Sequence, residues 1–132
     1  MTDDFDIDLR NLLVQFIEAR KDQDDADQRL HEYRAAHTPP ARPDEFEGVD
    51  ALLDYHHRRQ SYENPLRQHE KALKSAKKEY AEAAAQVRLF LPDGVRLRYT
   101  YEGERSGLIG TEYVILRKRD EIIIESPSTA TS

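Results

Sequence analysis

Five histidines are the residues of this sequence best suited to bind a metal ion, and their spacing argues against a site. They are His31, His37, His56, His57 and His69. Two histidines that bind one zinc ion from a single helix stand four residues apart, as in HExxH, and no pair here has that spacing. The chain also has no cysteine, which removes thiolate ligands and disulfides. The sequence therefore predicts no metal and no other cofactor.

Catalytic motifs are equally scarce. There is no nucleophilic cysteine and no GxSxG sequence. Adjacent carboxylates such as Asp24 and Asp25 are typical of a solvated helix surface, whereas glycosidases hold their carboxylates in a cleft. The glycine-containing stretch 103–110 leads towards a predicted strand, whereas a phosphate-binding loop leads into a helix. We expect a protein that is not an enzyme.

Basic residues near the end of the chain are the candidates for contact with an anion or a nucleic acid. They are Arg96, Arg98, Arg117, Lys118 and Arg119. Together with nearby tyrosines they suit a nucleic-acid backbone and its bases. Interspersed glutamates and the net charge of −6 favour a second interpretation, a charged sheet edge that resists edge-to-edge association.

A proline-containing connection, residues 38–48, carries the candidate partner-binding residues of a hairpin tip. They are Asp44, Glu45, Phe46 and Glu47. An exposed phenylalanine among carboxylates suits a pocket on a partner protein. Alternatively, Phe46 packs on Leu52 or Leu53 as a hydrophobic staple at the start of the next helix. The sequence leaves both interpretations open.

Two long amphipathic segments flank this connection. In both, apolar residues recur at alternating spacings of four and three, the pattern of helices that pack along a partner helix. The predicted helices are 4–36 and 49–90. Asn64-Pro65 suits either a break or a kink in the second helix, and the unbroken heptad phase favours the kink.

Charge predicts that the two helices pair antiparallel within one chain. Residues 1–50 hold 14 acidic and 6 basic residues, a balance of −8, and residues 51–132 hold 12 and 14, a balance of +2. A turn centred on residue 43 would place Leu30 near His56. It would also leave the second helix projecting past the start of the first beyond about residue 82, at 1.5 Å per residue.

Three short strands are predicted after the helices, on alternating or continuous apolar runs. Their ranges are 95–101, 111–117 and 121–125. Strands this short need the apolar ends of the helices to complete a core. The predicted fold is mainly α within the α+β class: a long antiparallel helical hairpin, or coiled-coil stalk, followed by a small three-stranded antiparallel β-meander packed at its base.

The predicted domain organisation follows this order. Residues 1–92 form the hairpin, residues 93–125 form the meander, and residues 126–132 form a disordered tail. The start of the chain has no run suited to a signal peptide, and no stretch is apolar enough to span a bilayer. The expected location is the cytoplasm, without membrane association.

The second and third strands carry apolar residues on both faces. They include Val114, Leu116, Ile122, Ile123 and Ile124. One helical hairpin covers a single face of a three-stranded sheet, so the other would remain open. An open patch of this kind predicts self-association through these five residues, or permanent binding to another protein. The expected partner is therefore a protein, either in a homodimer or in a larger complex.

The combination of a helical hairpin, an acidic tip and a β base resembles the transcript-cleavage factors that reach into RNA polymerase, although the β part here is much smaller. This resemblance is one of layout. It implies the alternative function, a regulator associated with nucleic acid or RNA polymerase that uses the basic sheet face or the acidic tip. The favoured function is a non-enzymatic, oligomeric coiled-coil module for protein–protein interaction or adaptation.

Overall fold

The computed structural model describes the backbone of residues 2–125 and the side chains from residue 8 onward. The predicted disordered tail lies outside the described residues. In chain order the elements are α1 (Thr2–Ala36), α2 (Val49–Arg88), β1 (Arg96–Thr100), β2 (Glu112–Lys118) and β3 (Glu121–Glu125). The predicted fold is confirmed, because two long helices form a hairpin and a three-stranded antiparallel sheet follows.

The connection between the helices is shaped by its prolines and its closing glycine. Three prolines between Thr38 and Glu45 exclude a continuous helix, because proline lacks a backbone donor and restricts the residue before it. Gly48 has a φ of 99°, a left-handed conformation that favours glycine, immediately before α2 begins. Within α2, the helix continues through Pro65 without interruption.

The chain divides into two compact units that cut across both helices. Unit 1 contains Met1–Asp22 and Lys77–Ser132, and unit 2 contains Gln23–Ala76. Unit 1 therefore holds the sheet with the beginning of α1 and the end of α2. Unit 2 holds the rest of the two helices and the connection between them.

The core of unit 1 lies between the sheet and the two helix segments. The sheet order is β1-β2-β3 with antiparallel neighbours, and alternate residues face the helices. The core consists of large apolar and aromatic side chains: Leu13, Phe16, Ile17, Val87, Leu91, Tyr99, Tyr101, Leu108, Tyr113 and Ile115. Phe16 is fully buried and stacks on Tyr80 with 5.1 Å between ring centroids. Burial of this cluster is what fixes the short strands on the helices.

Unit 2 has a much narrower core along the helix pair. Small and branched residues form it: Ala26, Leu30, Leu66, Leu73 and Ala76. At the end of α1, the Tyr33 hydroxyl donates a hydrogen bond of 2.7 Å to the backbone carbonyl of Tyr62. The Tyr33 ring also lies 5.2 Å from the His69 ring, between centroids. These contacts fix where the end of α1 meets α2.

The predicted helix register was wrong by about two heptads. Leu30 shares its cluster with Leu66 and Leu73, and Arg34 pairs with Glu70 at 3.4 Å, whereas the expected neighbour of Leu30 was His56. The heptad pattern repeats every seven residues, so a shift of two repeats presents the same apolar face. The turn is therefore not centred on residue 43. Instead, the first three turns of α2 extend beyond the end of α1.

Phe16→Ala should lower the free energy of unfolding by about 3–5 kcal/mol, because the buried ring leaves a cavity and loses its stacking with Tyr80. Chemical denaturation measures this value. Leu89→Ala is the matched control, since Leu89 is 76% exposed and its truncation should change stability by less than about 0.5 kcal/mol. Equal losses in both variants would contradict the described core of unit 1.

Cysteine cross-linking tests the helix register. The chain has no native cysteine, so only the introduced cysteines can react. Arg34→Cys with Glu70→Cys should react with a short bismaleimide to give an intramolecular link. Arg34→Cys with Leu52→Cys should not, because positions 52 and 70 are about 27 Å apart along α2 at 1.5 Å per residue. Mass spectrometry of the monomeric product decides between them. Efficient linkage of position 34 to position 52 would instead support the turn centred on residue 43.

Candidate interaction surfaces

The connection lies along one side of the extended start of α2 and forms a shallow groove with it. The Phe46 ring packs against Tyr55, with 5.4 Å between centroids and a tilt of 54°. Pro40 and Pro43 line the same groove with Ala51, and its volume is about 440 Å³. The connection thus covers one side of these α2 turns, which have no α1 residues opposite them.

Three large apolar side chains are exposed on the first two turns of α2. Val49 is 71% exposed, and Leu52 and Leu53 are each 47% exposed. Their spacing of three and four residues places them on one side of the helix, and we call them the α2 ridge. Ala51 lines the groove, and Val49 and Leu53 are each turned from it by about 200° at 100° per residue. Val49 and Leu53 therefore face away from the groove, and Leu52 lies between them and the groove, about 100° from Ala51.

The segment that carries the α2 ridge is acidic. Residues 40–58 contain five carboxylates and two arginines, a net charge of −3. Three of the carboxylates, Glu45, Glu47 and Asp54, line the groove, and Asp54 pairs with Arg58 at 2.6 Å. The apolar ridge thus belongs to a segment of net negative charge.

A network of ion pairs follows the α2 ridge along the same helix. Glu63 accepts hydrogen bonds from Arg59 at 2.8 Å and from Arg67 at 3.2 Å. The hydrogen bond from Arg59 lowers the pKa of the Glu63 carboxyl, and its partner raises the pKa of Arg59 in return. Within α2, the large apolar side chains that are exposed are those of the α2 ridge.

The four predicted tip residues lie together in the connection but differ in exposure. Asp44, Glu45 and Glu47 are exposed, whereas Phe46 is half-buried against Tyr55. Of the two interpretations of Phe46, packing onto α2 is the one observed, and its ring contact is with Tyr55. The large apolar residues exposed to solvent here are those of the α2 ridge.

The five predicted self-association residues belong to opposite faces of the sheet. Ile122 and Ile124 pack against the core of unit 1. Val114, Leu116 and Ile123 alternate with the core-facing residues of their strands and form an apolar stripe on the other face, where Ile123 is 37% exposed. We call the face that carries this stripe the outer sheet face. Its apolar part is smaller than the sequence suggested.

Arg117 is engaged at the end of α2. Its guanidinium donates to the backbone carbonyls of Arg88 at 3.1 Å and Leu91 at 2.7 Å, and its Nε donates to that of Arg119 at 2.9 Å. The last carbonyls of a helix have no intrahelical donors, so this side chain caps α2. Arg117 is therefore bound to backbone rather than presented as part of a basic patch.

The other predicted basic contacts are more exposed but are not grouped as one positive surface. Arg96 and Arg98 lie on the outer sheet face, where Arg96 pairs with Glu125 at 3.1 Å. Lys118 opposes Glu121 across the β2–β3 pair. Arg119 occupies the turn with a φ of 58°, and its backbone N–H donates to the Asp93 carboxylate at 2.7 Å. Carboxylates are thus interleaved with most of these cations.

The loop after β1 is held on α1 by charged and hydroxyl groups. Buried Tyr101 donates its hydroxyl hydrogen to Glu18 at 2.5 Å and accepts a hydrogen bond from the backbone N–H of Arg105 at 3.0 Å. The Arg105 side chain reaches the Glu18 carbonyl and the Asp22 carboxylate. Burial, with a contribution from Glu18, raises the pKa of the Tyr101 hydroxyl. This network closes the core of unit 1 and favours a neutral Tyr101.

An acidic cleft of about 500 Å³ lies beside this network in unit 1. Its carboxylates come from Glu18, Asp22, Glu79 and Glu82. Among the described side chains, no group of three or more histidine, cysteine, aspartate or glutamate residues is placed to hold a metal ion. His31, His56, His57 and His69 lie in the helices, whereas His37 directly follows α1. The rings of His37 and His69 both pack beside Tyr33.

Sequence reasoning missed the α2 ridge because it assumed a turn centred on residue 43, which would place the start of α2 against the end of α1. A signal was present in the lengths of the helices. α2 has 40 residues and α1 has 35, so both ends of α2 cannot be matched by α1. With the pairing fixed near Tyr33 and Tyr62, the unmatched residues fall at the start of α2.

Comparison with protein-family models, curated proteins and solved structures finds no match to this chain. Within the described part of the chain, no helix has the length and apolar character needed to cross a membrane.

Tyr101→Phe should lower the free energy of unfolding by about 1–3 kcal/mol, because the Glu18 carboxylate and the Arg105 N–H both lose their partner in a buried setting. Chemical denaturation at neutral pH measures the loss. Glu18→Gln is the control, since an amide oxygen still accepts from the hydroxyl and a smaller loss is expected.

Because the pKa of Tyr101 is raised, the unaltered chain and Tyr101→Phe should also differ in how their stability depends on pH. Above about pH 10 the unfolded chain releases the tyrosine proton while the folded chain retains it, so stability falls as pH rises. The fall between neutral pH and pH 11 should be smaller in Tyr101→Phe. Identical pH profiles would show that this hydroxyl is not held neutral by the fold.

Proposed function

We propose that this chain is a non-enzymatic protein–protein interaction module that binds a basic, amphipathic segment of a partner protein through the α2 ridge. The exposure of Val49, Leu52 and Leu53 on one side of a helix is the observation that carries the proposal. Amphipathic helices commonly dock through residues at this spacing. The partner's apolar side would contact the ridge.

The charge around the ridge specifies the chemistry of the partner. The net charge of −3 over residues 40–58 would attract lysine and arginine side chains flanking the partner's apolar residues. Complementary charge of this kind speeds association and rejects acidic segments. Apolar contact with Leu52 and Leu53 would supply affinity, and the net negative charge of the segment would supply selectivity.

The shifted pKa values have structural causes. Strongly perturbed pKa values often accompany active sites. Shifted pKa values are found here in the surface pair Arg59–Glu63 and in Tyr99 and Tyr101. Exposed hydrogen bonding explains the first pair, and burial in the core explains the two tyrosines. Each shift thus has a structural cause.

Association with nucleic acid or RNA polymerase remains the alternative prediction. Arg117 caps α2 and Arg96 pairs with Glu125, so the structure gives this alternative less support than the ridge gives the favoured one. Phosphate binding would produce a steep loss of affinity with added salt. A coiled-coil adaptor role and a cytoplasmic location are also proposals that follow from the sequence.

The test uses two fluorescein-labelled helical peptides, one of leucine and lysine and one of leucine and glutamate in the same order. The chain should bind the lysine peptide in an anisotropy titration. The double variant Leu52→Ser, Leu53→Ser should bind it at least about tenfold more weakly, because buried apolar anchors dominate such interfaces. Circular dichroism checks that helicity is retained.

The matched control is Leu89→Ser, which alters another exposed leucine, 76% exposed, in unit 1. Its affinity for the lysine peptide should equal that of the unaltered chain. Equal binding by the ridge variant, or a preference for the glutamate peptide, would overturn the proposal. Tight, salt-sensitive binding of random-sequence RNA that survives the ridge substitutions would favour the alternative.

A further inference from the structure

The outer sheet face has a regular arrangement of charged and apolar columns. β1 contributes a basic column, Arg96 and Arg98, and β3 contributes an acidic one, Glu121 and Glu125. Between them, β2 contributes an apolar pair, Val114 and Leu116, with Glu112 and Lys118 at the two ends of the same strand face. Around the apolar pair, the face is thus positive on the β1 edge, and the β3 edge carries Ile123 between its two glutamates.

The strand register aligns these columns in rows. Arg98, Val114 and Glu125 form one row, because Val114 pairs with both of the others. Arg96, Leu116 and Ile123 form the next row. Within one molecule, the Arg96–Glu125 ion pair runs diagonally across the apolar column at 3.1 Å. Its arginine side chain remains 66% exposed and retains capacity for a further acceptor.

We propose that the outer sheet face binds the same face of a second copy of this chain, around a two-fold axis parallel to β2. Such an axis places β1 of one copy over β3 of the other at the same height along the strands. Arg98 of each copy then faces Glu125 of its partner copy, and the two apolar columns meet. Facing sheets pack about 10 Å apart in aligned sandwiches.

The two central rows favour this axis over the other in-plane choice. A two-fold axis perpendicular to the strands, between the rows, would place Arg96 of each copy over Arg98 of the other, which is unfavourable. About the axis parallel to β2, Glu112 and Lys118 meet their own copies, but at the exposed ends of β2. The row of Arg98, Val114 and Glu125 is complementary to itself only about the parallel axis.

The size of the face sets the strength of the dimer. Three strands at about 4.8 Å spacing and five residues at about 3.3 Å give a footprint of about 250 Å². Stable interfaces bury about 800 Å² on each partner. The association is accordingly weak, with a dissociation constant of about 10 µM or above. It does not use the α2 ridge, which belongs to unit 2.

Sedimentation equilibrium between about 10 and 500 µM tests the proposal, a range suited to weak association. The unaltered chain should shift from monomer towards dimer, and Ile123→Lys should weaken the association at least tenfold while remaining folded. Ile109→Lys, at a residue 61% exposed outside the strands, is the matched control and should associate normally. A chain that stays monomeric throughout would overturn the proposal.

Charge exchange tests the orientation independently of apolar contact. Arg98→Glu and Glu125→Arg should each weaken the dimer about threefold or more, because like charges then face each other across the two-fold axis. The double variant should recover most of the lost association. Failure of the double variant to recover, with normal melting of all three proteins, would overturn the two-fold arrangement. Loss of dimer in the ridge double variant but not in Ile123→Lys would place self-association on the α2 ridge instead.

Discussion

The position of Tyr33 against α2 is the constraint on which unit 2 depends. Its hydroxyl donates to the Tyr62 carbonyl, and its ring packs beside Tyr62 and His69. These contacts hold the last turn of α1 well past the start of α2. The first three turns of α2 consequently have the connection, rather than α1, along one side. The exposed α2 ridge follows from that offset.

Unit 1 obtains its stability from a different source, a compact apolar core with hydrogen-bonded polar groups at its periphery. Phe16 and Ile115 are fully buried, and the sheet contributes tyrosines that combine apolar rings with hydroxyl groups. Tyr101 uses its hydroxyl to hold a loop on α1, and Arg117 uses its guanidinium to cap α2. Charged residues close to the core therefore serve the fold, whereas Arg96 and Arg98 on the outer sheet face are exposed.

Sequence periodicity was sufficient to predict both helices, the three strands and the antiparallel order. It succeeded because the spacing of apolar residues along a helix or strand shows which of its faces is buried. Leu30 in α1 and Ile115 in β2 each belong to such a local pattern. It failed on register because the heptad pattern is unchanged by a shift of seven or fourteen residues. The decisive contacts, Tyr33 with Tyr62 and Arg34 with Glu70, join residues about 30 or more positions apart.

The candidate surfaces show the same division between local and non-local information. That Phe46 lies in an acidic connection is visible in the sequence, but its packing on Tyr55 depends on the path of the connection. That Ile122 and Ile124 face the core, while Ile123 does not, follows once the register with β2 is known. The capping role of Arg117 depends on the approach of β2 to the end of α2, which no local pattern encodes.

The proposed binding role requires that the start of α2 is an unmatched helix segment whose exposed side receives a partner. Amide hydrogen exchange, read residue by residue with and without the leucine–lysine peptide, tests it most directly. In the free chain, amides at 52–60 should exchange faster than those at 66–76, because only the latter have α1 alongside. Added peptide should slow exchange at 49–60 and leave 66–76 unchanged. Equal protection of both segments in the free chain, or a peptide effect centred outside 49–60, would contradict the account.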